Sequence, residues 1–183
     1  MLLNPHYELK DKHAFLSPSS PYWLNYDEAK LISTYKKSKA KELGTRMHAL
    51  AAELISLGIR LPRSKKTFNA YVNDAIGFDM NVEQPLYYSE YCFGTADALS
   101  FRDGYLRIHD LKTGETPAKI EQLKIYSALF CLEYGFSPDA FNIELRIYQN
   151  NEVLIDTPDA QDISLIMAHI IRCDEIIREI EGR

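Results

Sequence analysis

The sequence is poor in cysteine and carries no long apolar run, and each lack closes off a class of protein. Cys92, Cys131 and Cys173 are the only three cysteines among 183 residues, odd in number and far apart. They form neither a disulfide framework nor a paired zinc motif. No stretch approaches the roughly 20 apolar residues of a membrane-spanning helix, so no membrane partner is expected. Met1 to Lys12 lacks the apolar centre of a secretion signal, and a cytoplasmic protein is expected. Cations are in deficit as well: 21 Lys and Arg face 26 Asp and Glu, a formal net charge of −5. Taken as a total, that deficit disfavours a nucleic-acid partner.

What is present suits one globular domain. With 46% hydrophobic and 26% charged residues, a chain of 183 can bury a full core. One domain over 1–183 is expected, with 1–26 as an irregular N-terminal segment around Ser17-Pro18-Ser19-Ser20-Pro21. Tyr22, Trp23 and Tyr26 are expected to anchor that segment by packing, although such rings also stack on bases. The negative total hides a basic run, Lys30, Lys36, Lys37, Lys39, Lys41 and Arg46, against the single acid Glu42. A second cluster follows at Arg63, Lys65 and Lys66. Phosphate attraction depends on where cations sit, so Lys36, Lys37, Lys39, Lys41 and Arg46 are candidate nucleic-acid contacts. A solvated helix face is the plain alternative.

Apolar spacing predicts a helix from near Asp27 to about Leu57, stopped at Gly58. Leu43, Met47, Leu50, Leu54 and Leu57 are expected to face its core. His48 lies at the edge of that stripe, where a backbone-bonded core histidine is the ordinary reading. A polar loop at Leu61–Lys66 leads to a shorter helix over Thr67–Phe78 and a strand over Val82–Cys92. Later come a helix over Ala118–Tyr134, a strand over Phe141–Tyr148, and a turn at Asn150-Asn151 into Val153–Ile155. The last helix, from Asp159, sets Ile163, Ile166, Ile170, Cys173, Ile177 and Ile180 in a heptad-like seam, fit to cover the sheet or meet a second subunit.

Between these elements lies the stretch that carries chemistry. Tyr105 to Lys112 reads as a strand with Leu106, Ile108, Asp110 and Lys112 on one pleat face. A core face that ends in a carboxylate and an ammonium is costly unless both find partners, such as a cation and a phosphate. A turn at Gly104 would set Asp97 alongside Asp110. His109 points to the opposite pleat face and is excluded from the site. Gln122 and Tyr126, four apart on a helix, share a face.

In order along the chain these pieces are Gly94-x-x-Asp97, Asp110-x-Lys112-Thr113-Gly114 and Gln122-x-x-x-Tyr126. The pattern resembles the PD-(D/E)xK nuclease superfamily, in particular its RecB-type exonuclease domains, which include CRISPR-associated and phage recombination nucleases. The resemblance implies an α/β, restriction-endonuclease-like core, with a central mixed β-sheet flanked by α-helices. It implies a divalent-metal-dependent DNA exonuclease working in recombination, repair or phage DNA processing, in a bacterial or phage-infected cell. A structure-selective endonuclease and a non-catalytic DNA-binding subunit are the alternatives. Asp97, Asp110, the backbone carbonyl of Leu111 and, on its helix after a Gly-Thr pair, His48 are then the implied ligands of Mg²⁺ or Mn²⁺. Lys112 would hold the attacking water or the developing phosphate charge, and Gln122 and Tyr126 would orient the phosphate or Lys112. Glu83 matches a position where relatives often carry an acid and is expected only to support the ligands. Some relatives hold an iron–sulfur cluster on four cysteines; three scattered ones predict none here. DNA is the implied partner, with a recombinase, helicase or single-strand-binding protein, or further copies of the chain, as possible associates.

Overall fold

The computed structural model describes residues 4–114 and 116–182. Its regular elements are α1 (Glu28–Ser56), α2 (Thr67–Gly77), β1 (Asn81–Ser89), β2 (Cys92–Arg102), β3 (Tyr105–Leu111), α3 (Glu121–Tyr134), β4 (Asn142–Gln149), β5 (Glu152–Asp156) and α4 (Ala160–Glu181). The strands form one sheet in the order β1-β2-β3-β4-β5. Neighbours are antiparallel except β3 and β4, which run parallel, as a crossover through α3 allows. Two hairpins close on two-residue loops with positive φ: Asp103 (52°) with Gly104 (75°), and Asn150 (52°) with Asn151 (62°). Such loops match the right-handed twist of the strands they join.

Apolar residues cover both faces of this sheet. On one, Leu106, Ile108, Leu145 and Ile147 pack with Leu123 and Phe130 of α3 and Ile163 of α4. On the other, Ala98, Leu111 and Tyr148 pack with Ala51 and Ile55 of α1 and Tyr71 and Val72 of α2. The class is therefore α/β, a central mixed sheet flanked by four helices, consistent with a restriction-endonuclease-like core.

The chain divides into a unit ending at Leu43 and one beginning at Gly44. In the first, Asp27 caps α1 by accepting the Lys30 backbone N–H at 2.7 Å. Trp23 and Tyr26 are half-buried, and the Trp23 indole N–H donates to the Ser17 carbonyl. Tyr22 is exposed and packs no core, contrary to expectation.

Two apolar stripes also differ from expectation. Leu43, Leu50 and Leu57 are 58%, 46% and 64% exposed, while Gly44, Ala51 and Ile55 are buried. The buried face is turned by about one residue, roughly 100°. Size explains the turn: a Cβ on Gly44 would lie 2.7 Å from Thr113 Oγ1, so only a bare helix surface approaches that closely. In α4, Ile163 and Ile170 are buried, but Cys173 and Ile180 are exposed, and Asp174, bonded to Arg178, is buried beside Cys173. Among the described residues, no helix is long and apolar enough to cross a membrane.

Beneath α2 lies a buried polar pair. Tyr148 Oη donates to Asp74 at 2.7 Å and lies 3.2 Å from Nδ1 of fully buried His109. Because the Tyr148 proton goes to Asp74, Nδ1 is the protonated nitrogen; Nε2 is buried without a partner. Burial, with Arg146 and Arg107 nearby, lowers the pKa of His109 from 6.5 to about 3. Between those values the unfolded chain binds the extra proton, so stability falls as pH drops through the window. At pH 5 the loss from this ring is about 2 kcal/mol relative to pH 8. Urea melts should show the protein losing about that much more than His109→Phe; equal losses would mean that the ring is not held neutral.

Candidate active site

Three strands bring three carboxylates into one row. The last β2–β3 pair is Ala98 with His109, so Asp97 and Asp110 occupy the next position out. Val82 with Ala98 and Gln84 with Ala96 bracket Glu83 opposite Asp97. Like charges set opposite each other destabilise a sheet. Glu83 also holds φ at 49° within β1, a region that side chains rarely adopt. Both features cost stability, and neither helps the strands to pair.

Part of the row's charge is met from within. His48 Nδ1 lies 3.2 Å from Asp97 Oδ2, and the Leu111 N–H donates to the same oxygen at 2.9 Å. The hydrogen bond to Asp97 raises the pKa of His48 above its ordinary value, against the opposing effect of burial. His48, Glu83 and Asp97 each present a ligand atom, all within 4.8 Å of one another. Two carboxylates and an imidazole are a donor set that suits a divalent cation.

Asp110 is left less well served. It is 3% exposed; Oδ1 accepts from Lys112 Nζ at 2.9 Å, while Oδ2 is buried without a hydrogen-bond partner. Burial first, and then the charge of Asp97, push its carboxyl pKa up, against the pull of Lys112. A buried carboxylate oxygen with no donor is costly, and a cation or a donor from outside the protein would relieve it.

From Lys112 a chain of contacts runs outward. Its ammonium also donates to Gln122 Oε1 at 3.0 Å, Gln122 Nε2 donates to Tyr126 Oη at 3.3 Å, and Tyr126 Oη donates to the Thr95 carbonyl at 2.8 Å. Gly94 makes room for the ring, since a Cβ there would lie 2.9 Å from Tyr126 Cε1. The Gly-x-x-Asp and Gln-x-x-x-Tyr pieces therefore touch each other as well as the strand end.

The structure thus gathers Asp97, Asp110, Lys112, Gln122, Tyr126 and His48 at one end of β3. Leu111 is engaged there through its N–H. Asp110 stands outside the 4.8 Å group and faces Lys112, whereas Glu83, expected only as support, is inside it. The register that pairs Glu83 with Asp97 needs the turn at Glu90–Tyr91, which a strand predicted to run on to Cys92 conceals. Tyr71 was not foreseen: burial first, then the charges of Asp97, Asp110 and Glu83, push its phenol up. A tyrosine on an amphipathic helix reads only as core. Lys36, Lys37, Lys39 and Lys41 are exposed on α1 in the N-terminal unit, with Lys39 bonded to Glu42 at 2.7 Å. Arg46 is exposed on the same helix in the second unit.

No family model matches the chain, and no curated protein matches it.

Proposed function

We propose that the protein is a divalent-metal-dependent deoxyribonuclease of the PD-(D/E)xK type, a RecB-like exonuclease that hydrolyses DNA phosphodiesters in recombination, repair or phage DNA processing. The observation that carries this reading is the unpartnered, buried Oδ2 of Asp110, a carboxylate that stands next to Asp97 across the strands and whose other oxygen is held by the Lys112 ammonium.

The residues fit Mg²⁺ or Mn²⁺: His48, Glu83 and Asp97 would hold the cation, and Asp110 and the Leu111 carbonyl are the further oxygen donors that the nuclease reading assigns to it. The nitrogen of His48 favours Mn²⁺ somewhat. Such a cation offsets charge on a phosphate and makes bound water more acidic. Lys112 has three donors; two are taken by Asp110 and Gln122, so one N–H remains for a phosphate oxygen or the attacking water. Gln122 fixes the direction of that last N–H, and Tyr126 fixes Gln122 by bonding across to Thr95.

The test is end-labelled linear duplex and single-stranded DNA, with a closed circle as control, in Mg²⁺, in Mn²⁺ and in EDTA. Metal-dependent shortening of linear DNA from its ends, with the circle intact, is expected. Cutting of the circle would favour the endonuclease reading. Binding without cleavage in any metal would favour a non-catalytic subunit, and neither binding nor cleavage would overturn the proposal.

A further inference from the structure

The α1–α2 loop is a basic stretch that the proposed chemistry leaves unused. Arg60, Arg63, Lys65 and Lys66 fall within seven residues, and no acid occurs between Glu53 and Asp74. In a chain of net charge −5 such a stretch is set apart. Arg63, Lys65 and Lys66 are exposed and make no salt bridge among the described residues. The fold therefore does not need their charge.

The loop is nevertheless built. Leu61 donates its N–H to Asn73 Oδ1 at 2.8 Å and accepts from Asn73 Nδ2 at 2.8 Å. Asn69 Nδ2 donates to the Pro62 carbonyl at 2.9 Å, and Ser64 Oγ accepts the Lys66 N–H at 3.2 Å. Leu61 packs against the α1–α2 core. Asparagine is a mediocre helix former, yet α2 carries two, four residues apart, and both spend their side chains on this loop. A backbone fixed in this way holds its cations in place before any ligand arrives. Arg60, Arg63, Ser64 and Asn73 line a concavity of about 460 Å³. Asp74, the acid at its wall, is already engaged by Arg146 and Tyr148.

We infer that this loop is a second contact for the nucleic-acid phosphate backbone, away from the scissile bond. The inference rests on the nuclease reading above. From His48 to Ser56, α1 spans eight residues, roughly 12 Å at 1.5 Å each, so the loop lies beyond that distance along the helix. At roughly 3.4 Å per nucleotide, it grips phosphates several nucleotides from the cleaved one.

The test measures DNA affinity against salt in a Lys112→Ala background, so that substrate survives the titration. Removing Arg63, Lys65 and Lys66 together by alanine should reduce the slope of log K against log salt by about 2.7 on duplex, three contacts at 0.9 each. Melting of this variant should match its parent, since all three side chains are exposed. A control lacking Lys10 and Arg172 should keep the parent slope. An unchanged slope in the triple variant, with DNA still bound, would overturn the loop assignment alone. Equal competition by polyglutamate of matched charge would also overturn it, in favour of an acidic protein. If the Lys112→Ala parent binds neither single- nor double-stranded DNA at low salt, the nuclease reading itself falls.

Discussion

Lys112→Ala is expected to slow metal-dependent DNA cleavage by roughly a thousandfold or more. A preorganised charge aimed at a developing phosphate anion is worth about 4 kcal/mol, and each 1.36 kcal/mol is tenfold in rate. The geometry adds a second consequence. Lys112 Nζ is the hydrogen-bond donor to Asp110 Oδ1, so its loss leaves a 3%-exposed carboxyl with both oxygens unmet. The variant should therefore also lose about 1–3 kcal/mol of stability. Combining it with Asp110→Asn should restore most of that stability and none of the rate, because the amide removes the buried charge without replacing the ammonium. Lys112→Arg should fail as well, since a planar fork does not fit where a compact ammonium bridges Asp110 and Gln122. Initial rates on end-labelled linear DNA, below the melting temperature of every variant, decide the matter. Wild-type cleavage by Lys112→Ala would remove the lysine from the chemistry.

How much of this was legible in the sequence follows from which interactions are local. The β2–β3 hairpin has a turn residue between its arms and a period-2 pattern on the second, so the placing of Asp97 beside Asp110 could be argued from spacing alone. Gln122 and Tyr126 share a face because helix geometry fixes neighbours four apart. By contrast, α1 turns about its axis because Gly44 meets Thr113, a contact between residues 69 positions apart that no hydropathy stripe encodes. That same rotation carries His48 onto the buried face. Glu83 is hard to place from the sequence for a related reason, since its partner across the strands depends on a turn at Glu90–Tyr91 that has neither glycine nor asparagine to announce it. The α4 seam reads as continuous because isoleucines recur, yet whether an isoleucine finds a partner depends on where the sheet and α3 end. Asp174 is buried where the seam gives way.

Asp110→Asn is expected to abolish cleavage while making the metal-free protein more stable. The carboxyl pKa of Asp110 is raised in the fold, by burial first and then by the charge of Asp97. For a raised carboxyl, the contribution to folding is full below its ordinary value of 3.8 and is lost as pH rises through the folded value. At neutral pH the residue is therefore a liability that Lys112 offsets only in part, and that the proposed cation would offset further. Asparagine imitates the protonated form and should raise stability by about 1 kcal/mol, some 2–4 °C in melting temperature for a domain of this size. A metal titration separates this from simple repacking. At Mn²⁺ a hundredfold above its dissociation constant, the wild type should gain about 2.7 kcal/mol, and the variant much less at the same concentration. If both proteins gained equally, the cation would not touch Asp110, and its unpartnered oxygen would need another explanation. If the variant lost both the metal shift and the rate while melting higher without metal, the same oxygen would account for the instability of the empty site and for its activity when filled.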